Sequence, residues 1–156
     1  MFCIFFSFDG AVACKVVKKG KTVTSKYYLE NVLPEVFDEF EKKREGQVVT
    51  NVMLHHDNAS SHTANIVKEY LKQKHVTVLP HPPYSPDLAP CDFFLFPKLK
   101  KELAGRRFER IENLARAVNS IINKIPNQEY EKCFNSWRNR LQHCIDVGGK
   151  YFEGMM

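Results

Sequence analysis

His55-His56-Asp57-Asn58-Ala59 follows the apolar run Val52-Met53-Leu54, and thirty-four residues separate Asp57 from a second aspartate, Asp92. The approach to Asp92 is a proline-punctuated loop, Pro80-His81-Pro82-Pro83-Tyr84-Ser85-Pro86-Asp87-Leu88-Ala89-Pro90-Cys91-Asp92. An aspartate at the end of a buried strand is costly unless it is paired or faces a cation. The prolines stiffen the loop, and Pro90 suits the first residue of a helix, which places Asp92 in that helix's first turn. Magnesium takes hard oxygen ligands and is often held by one or two carboxylates plus phosphate oxygens. Each aspartate also has a structural reading. Asp57 suits an Asx turn or an N-cap, and Asp92 suits the positive end of a helix dipole.

Around this pair the chain reads as a mixed α/β layer fold. Met1–Phe8 is apolar without alternation, as in a strand covered on both faces. Asp9-Gly10 signals a turn, and Ala11–Val17 reads as the returning strand. Thr24 or Ser25 can cap a helix that carries Leu29, Val32, Leu33, Val36, Phe37 and Phe40 at helical spacing, with Pro34 kinking or restarting it. Val48–Leu54 reads as a central strand. Ser60 or Ser61 then caps a helix, Val76–Leu79 forms a short strand, and Pro97 distorts the helix that begins near Pro90. Ile111–Ile125 and Gln128–Ile145 read as two amphipathic helices. A chain that opens on an interior-type strand is expected to need a partner for that strand's second edge.

The 156 residues suit one domain or a piece of a larger one, with 44% hydrophobic and 26% charged residues. No apolar run is long enough for a membrane span, and Met1–Phe6 lacks the basic leader of a signal peptide, so an intracellular location is the default. Five cysteines (Cys3, Cys14, Cys91, Cys133, Cys144) without C-x-x-C spacing suit reduced thiols. The net charge of +5 is uneven. Lys15, Lys18, Lys19, Lys21 and Lys26 form one basic cluster. Lys98, Lys100, Lys101, Arg106, Arg107 and Arg110 form another, against Glu102 and Glu109. Two separated basic clusters suit a polyanion, although solvated faces have the same composition.

The histidines give no zinc spacing. His55 and His56 are adjacent in a strand and therefore face opposite sides. His62, one turn into the helix after Asp57, is placed to line a site there. Asp9 and Asp87 are explained by turn chemistry.

His56-Asp57-Asn58-Ala59 with His62, followed by Val78 through Asp92, resembles the catalytic core of mariner transposases. The thirty-four-residue gap matches the spacing of that family's second and third catalytic aspartates, and an aspartate at position 92 points to the mariner branch over its Tc1 relatives. Lys98-Leu99-Lys100, Gly105-Arg106-Arg107-Phe108 and Tyr151-Phe152 are also similar. The resemblance implies a ribonuclease-H-like (retroviral-integrase-like) mixed sheet flanked by helices. It also implies Asp57 and Asp92 as catalytic ligands for Mg2+ (or Mn2+), with Asn58 and His62 lining the site. Residues Lys15, Lys18, Lys19, Lys21, Lys98, Lys100, Lys101, Arg106 and Arg107 are the candidate nucleic-acid contacts. Such enzymes cut transposon ends and join them to target DNA as dimers in the nucleus.

Residues 1–156 are thus expected to form a partial catalytic domain. The family's helix-turn-helix region, its first central strand and the first catalytic aspartate have no counterpart in this sequence, and Asp9 does not take that aspartate's place. With two of three ligands the chain is expected to be inactive alone. It is also expected to fold poorly or to close the gap by pairing its first strand with the strand at Val48–Leu54 or with another chain. The alternative function is a non-catalytic remnant that binds nucleic acid or another protein.

Overall fold

The computed structural model describes residues 1–18, 20–44 and 52–148. Lys19, the first part of the strand expected at Val48–Leu54, and Tyr151-Phe152 lie outside the described residues.

Strands β1 (Phe2–Ser7) and β2 (Gly10–Val16) form the expected antiparallel hairpin. Gly10 at its turn has φ +126°, and a Cβ there would stand 3.1 Å from Asn127 Oδ1, so the turn requires glycine. The register shifts between Phe5 and Phe6, and the resulting bulge lets the sequence neighbours Val12 and Ala13 pack against one apolar cluster.

β1 is covered on both faces because its alternate side chains enter two different cores. Cys3 and Phe5 pack with Tyr28, Val32, Leu33, Val36 and Phe37. Phe2, Ile4 and Phe6 pack with Leu95, Leu99, Val118 and Ile122. The first core is built by helix α1 (Ser25–Tyr27), the π turn Tyr28–Val32, α2 (Leu33–Lys43) and α4 (Asn65–Gln73). The second is built by α5 (Phe96–Leu103) and α6 (Ile111–Lys124). The hairpin is therefore the middle of three layers.

A second, parallel pair is formed by β3 (Met53–His55) and β4 (Thr77–Leu79), with His55 opposite Leu79. Among the described residues no ladder joins β1 to β3, and most of the Val48–Leu54 strand expected to pair with β1 lies outside them. Strands pair only at about 4.8 Å, and the helices packed on both faces of the hairpin fix where β1 lies.

Both internal helical prolines follow a widened turn. Pro34 follows the π turn at Tyr28–Val32, and Pro97 follows one at Cys91–Leu95. Proline has no N–H and its ring crowds the carbonyl four residues back; one wider turn relieves that clash. Thr24 caps α1 by accepting from the Tyr27 N–H at 3.1 Å, as expected. Ser60 and Ser61 do not cap: Ala59 holds the N-cap of α3 (Ser60–Thr63) without a side-chain bond. Ala64, at ψ 142°, then breaks α3 from α4. Helix α7 (Asn127–Asp146) closes the described chain. No described helix is long and apolar enough to cross a membrane.

Candidate active site

Asp57 lies two residues beyond β3, and its position is set by a local turn. Its Oδ1 accepts from the Ala59 N–H at 3.0 Å and from His62 Nδ1 at 2.8 Å, which assigns the proton to that ring nitrogen. The Asx turn read from the sequence is therefore present, and it orients the carboxylate at the entrance to α3. Oδ2 has no donor among the described residues, and the side chain is 63% exposed. Burial raises the Asp57 pKa, but the Ala59 N–H, His62 and His56 outweigh it and the carboxyl lies below its ordinary value.

Asn58 braces this turn against the proline loop, its amide donating to the His81 carbonyl at 2.7 Å. The loop then runs through a short 3-10 turn at Pro86–Leu88, whose backbone is tied to α7 by Arg140 Nη1 donating to the Asp87 carbonyl at 3.1 Å. Pro90 caps the π turn that carries Asp92 in its first turn. Asp57, Asn58, His81, Tyr84 and Asp92 all line one open cleft of about 650 Å3. Burial and then the charge of Asp57 raise the Asp92 pKa, against the opposing pull of His81 and Lys100. The two carboxylates thus repel each other across the cleft.

The neighbouring histidines divide as strand alternation requires. His55 points to His81, with Nε2 and Nδ1 3.1 Å apart, and its ring lies 4.7 Å from that of Trp137. His56 stacks on His62 at 4.7 Å and stands 3.4 Å from the Tyr28 hydroxyl. Burial first, then a neighbouring imidazole, pushes both His55 and His56 down to about 4, so both are neutral at physiological pH. His62 lines an adjoining groove and touches the cleft through Asp57.

The basic residues have unequal freedom. Lys15 is paired with Glu35 and Lys98 with Glu129, and Lys98 also lies 5.3 Å from the Phe94 ring centroid. Lys18, Lys21, Lys100, Lys101, Arg106 and Arg107 are exposed. Asp9 is held by Ser7 and by Arg44 at 3.3 Å, consistent with its turn role. Sequence reasoning missed two members of the cleft. His81 is tied to β3 only through its tertiary partner, and Tyr84 had no signal beyond being an aromatic between prolines.

The DDE superfamily endonuclease family matches residues 10–115. The mariner Mos1 transposase of Drosophila mauritiana is 31% identical over 98% of this chain and 45% of its own length. The human histone-lysine N-methyltransferase SETMAR is 31% identical over 98% of this chain and 22% of its own. The chain therefore spans less than half the length of these curated relatives. Among solved structures, the Mos1 catalytic domain with raltegravir and manganese superposes with a TM-score of 0.90 at 31% identity, covering 97% of this chain and 76% of that one. The same domain with magnesium gives 0.89 at 31% identity, with the same coverage. A Mos1 paired-end complex with the left transposon end gives 0.89 at 32% identity, covering 97% and 44%. With its three-layer fold and its two carboxylates in one cleft, the chain belongs to the DDE superfamily endonucleases and has the ribonuclease-H-like fold of a mariner-type transposase catalytic domain.

Proposed function

We propose that this chain carries the catalytic core for metal-dependent cleavage of transposon-end DNA and its joining to target DNA, with Asp57 and Asp92 as the metal-binding carboxylates. The observation that carries this reading is the convergence of two carboxylates from separate elements on one cleft, where Asp57 raises the pKa of Asp92. The donor set fits magnesium or manganese: both are hard oxygens, and Asp57 Oδ2 has no donor among the described residues. A divalent cation there would acidify the attacking water or hydroxyl and stabilise the leaving oxygen.

The chain's own residues do the positioning. Ala59 and His62 fix the plane of the Asp57 carboxylate, and Asn58 holds the turn to the proline loop. Among the described residues no group of three His, Cys, Asp or Glu side chains gathers as a metal site. One ion with substrate phosphate oxygens suits the pair, and a two-ion site takes a further carboxylate. Exposed Lys100, Lys101, Arg106 and Arg107 are suited to the DNA backbone. The Mos1 paired-end complex with a transposon end supports DNA and a second copy of the chain as partners, and action on DNA supports the nucleus as the place of action.

The test is Mn2+ titration by calorimetry together with magnesium-dependent nicking of a transposon-end duplex. Asp57→Ala and Asp92→Ala should each weaken metal binding by more than the roughly 10–100-fold that losing a ligand's supporting partner costs. Wild-type binding and nicking in either variant excludes the site. The exposed basic stretch favours a second reading, metal-independent DNA binding, whose affinity would fall steeply with salt. No binding at low salt ends it.

A further inference from the structure

We propose that Tyr84 is a stacking platform for an unpaired nucleobase beside the phosphodiester that occupies the cleft. The ring is 95% exposed, the highest exposure among the large hydrophobic side chains of the described residues. It is nevertheless held in place. Tyr84 has φ +54°, a left-handed conformation that bulky residues adopt rarely and keep only where the surroundings impose it. Pro83 and Pro86 stiffen the chain around it, and Ser85 Oγ donates to the Pro83 carbonyl at 3.1 Å, closing the tip.

An aromatic carried on a constrained backbone and 95% exposed has no packing role among the described residues. Its location supplies one. Tyr84 lines the same cleft as Asp57 and Asp92, so a nucleotide whose phosphate lies between the carboxylates has its base within the reach of the loop tip. Every base has a π face, and stacking on an aromatic ring is tolerant of sequence. Paired bases are already stacked on their neighbours, so the ring selects an unpaired one. Lys100 and Lys101 bear on the backbone, and Tyr84 bears on the base.

The inference rests on the reading of the cleft as a DNA site, and the experiment separates the two. Fluorescence anisotropy compares a short single-stranded DNA with an abasic strand of the same length, at low salt. The wild-type chain should bind the base-containing strand about tenfold more tightly. Tyr84→Ala should abolish that preference while leaving abasic-strand affinity unchanged, which also reports that the variant is folded. Tyr84→Phe and Tyr84→Trp should retain it. A wild-type chain without preference, or a Tyr84→Ala variant that keeps it, overturns the stacking role alone. Failure of both strands to bind overturns the DNA reading as well.

Discussion

Asp57 and Asp92 line one cleft, yet the fold treats them in opposite ways. Asp57 sits in a turn that supplies it with donors, and its carboxyl lies below the ordinary value. Asp92 is carried in a helical first turn, accepts no side-chain hydrogen bond among the described residues, and lies above the ordinary value. One carboxylate is oriented by the protein's own donors, and the other is given none among the described residues. A turn that holds its own aspartate contributes to stability, whereas a group placed for a ligand need not.

The largest effect erases the difference. If the proposed metal-dependent nicking holds, Asp57→Ala and Asp92→Ala should each reduce its rate by at least about a hundredfold, because each removes charge stabilisation of several kcal/mol. Gel-based cleavage kinetics read this directly. A loss confined to one variant would mean that only one carboxylate serves the chemistry.

Stability should separate what catalysis equates. Asp57→Ala removes the acceptor for the Ala59 N–H and should cost about 1–2 kcal/mol in urea unfolding, while Asp92→Ala should cost almost nothing. Asn58→Ala deletes the bond to the His81 carbonyl and should cost about 1 kcal/mol. Tyr84→Gly should do the reverse and raise stability by about 1 kcal/mol, because glycine adopts φ +54° without strain. A destabilised Tyr84→Gly protein would mean that the ring has a packing role after all.

The smallest effect is electrostatic, and its sign differs between the two residues. The folded pKa of Asp57 is lowered, so its contribution is complete above the unfolded value of about 4 and is lost as pH falls through the folded value. The folded pKa of Asp92 is raised, so its ionised form opposes folding at neutral pH, and that opposition disappears as pH falls below about 4. Without metal, Asp92→Asn should therefore raise the neutral-pH Tm slightly and leave the acid Tm unchanged. Its exposure limits the gain to about 0.5 kcal/mol. Divalent metal should abolish the advantage, and calorimetric scans with and without Mn2+ test this.

Much of the framework was legible because it is local. The D-G turn fixed the hairpin, apolar spacing marked α2, α6 and α7, and Pro90 placed Asp92 in a first turn. The errors lay where a distant partner decides. Ser60 was a sound N-cap candidate on its own, but the helix starts one residue earlier, and the His62 and Thr63 N–H groups already donate to the Ala59 carbonyl. Strand β3 ends at His55, where its pairing with β4 stops, so Asp57 lies two residues beyond the strand rather than at its end. Lys15 and Lys98 looked as free as Lys100 until Glu35 and Glu129 were found beside them.

By itself the sequence determined the element order, the stiff proline loop and the two carboxylates with their spacing, because turn chemistry, proline geometry and apolar periodicity act over a few residues. The tertiary structure decided the rest. It brought Asp57 and Asp92 to one cleft, sent His55 to His81 and His56 to His62, left β1 and β3 unjoined among the described residues, and fixed the exposed Tyr84 at the rim. The physical reason is range. Charge repulsion, burial and shared hydrogen-bond donors depend on which distant residues meet, and packing on both faces of one hairpin settles that here.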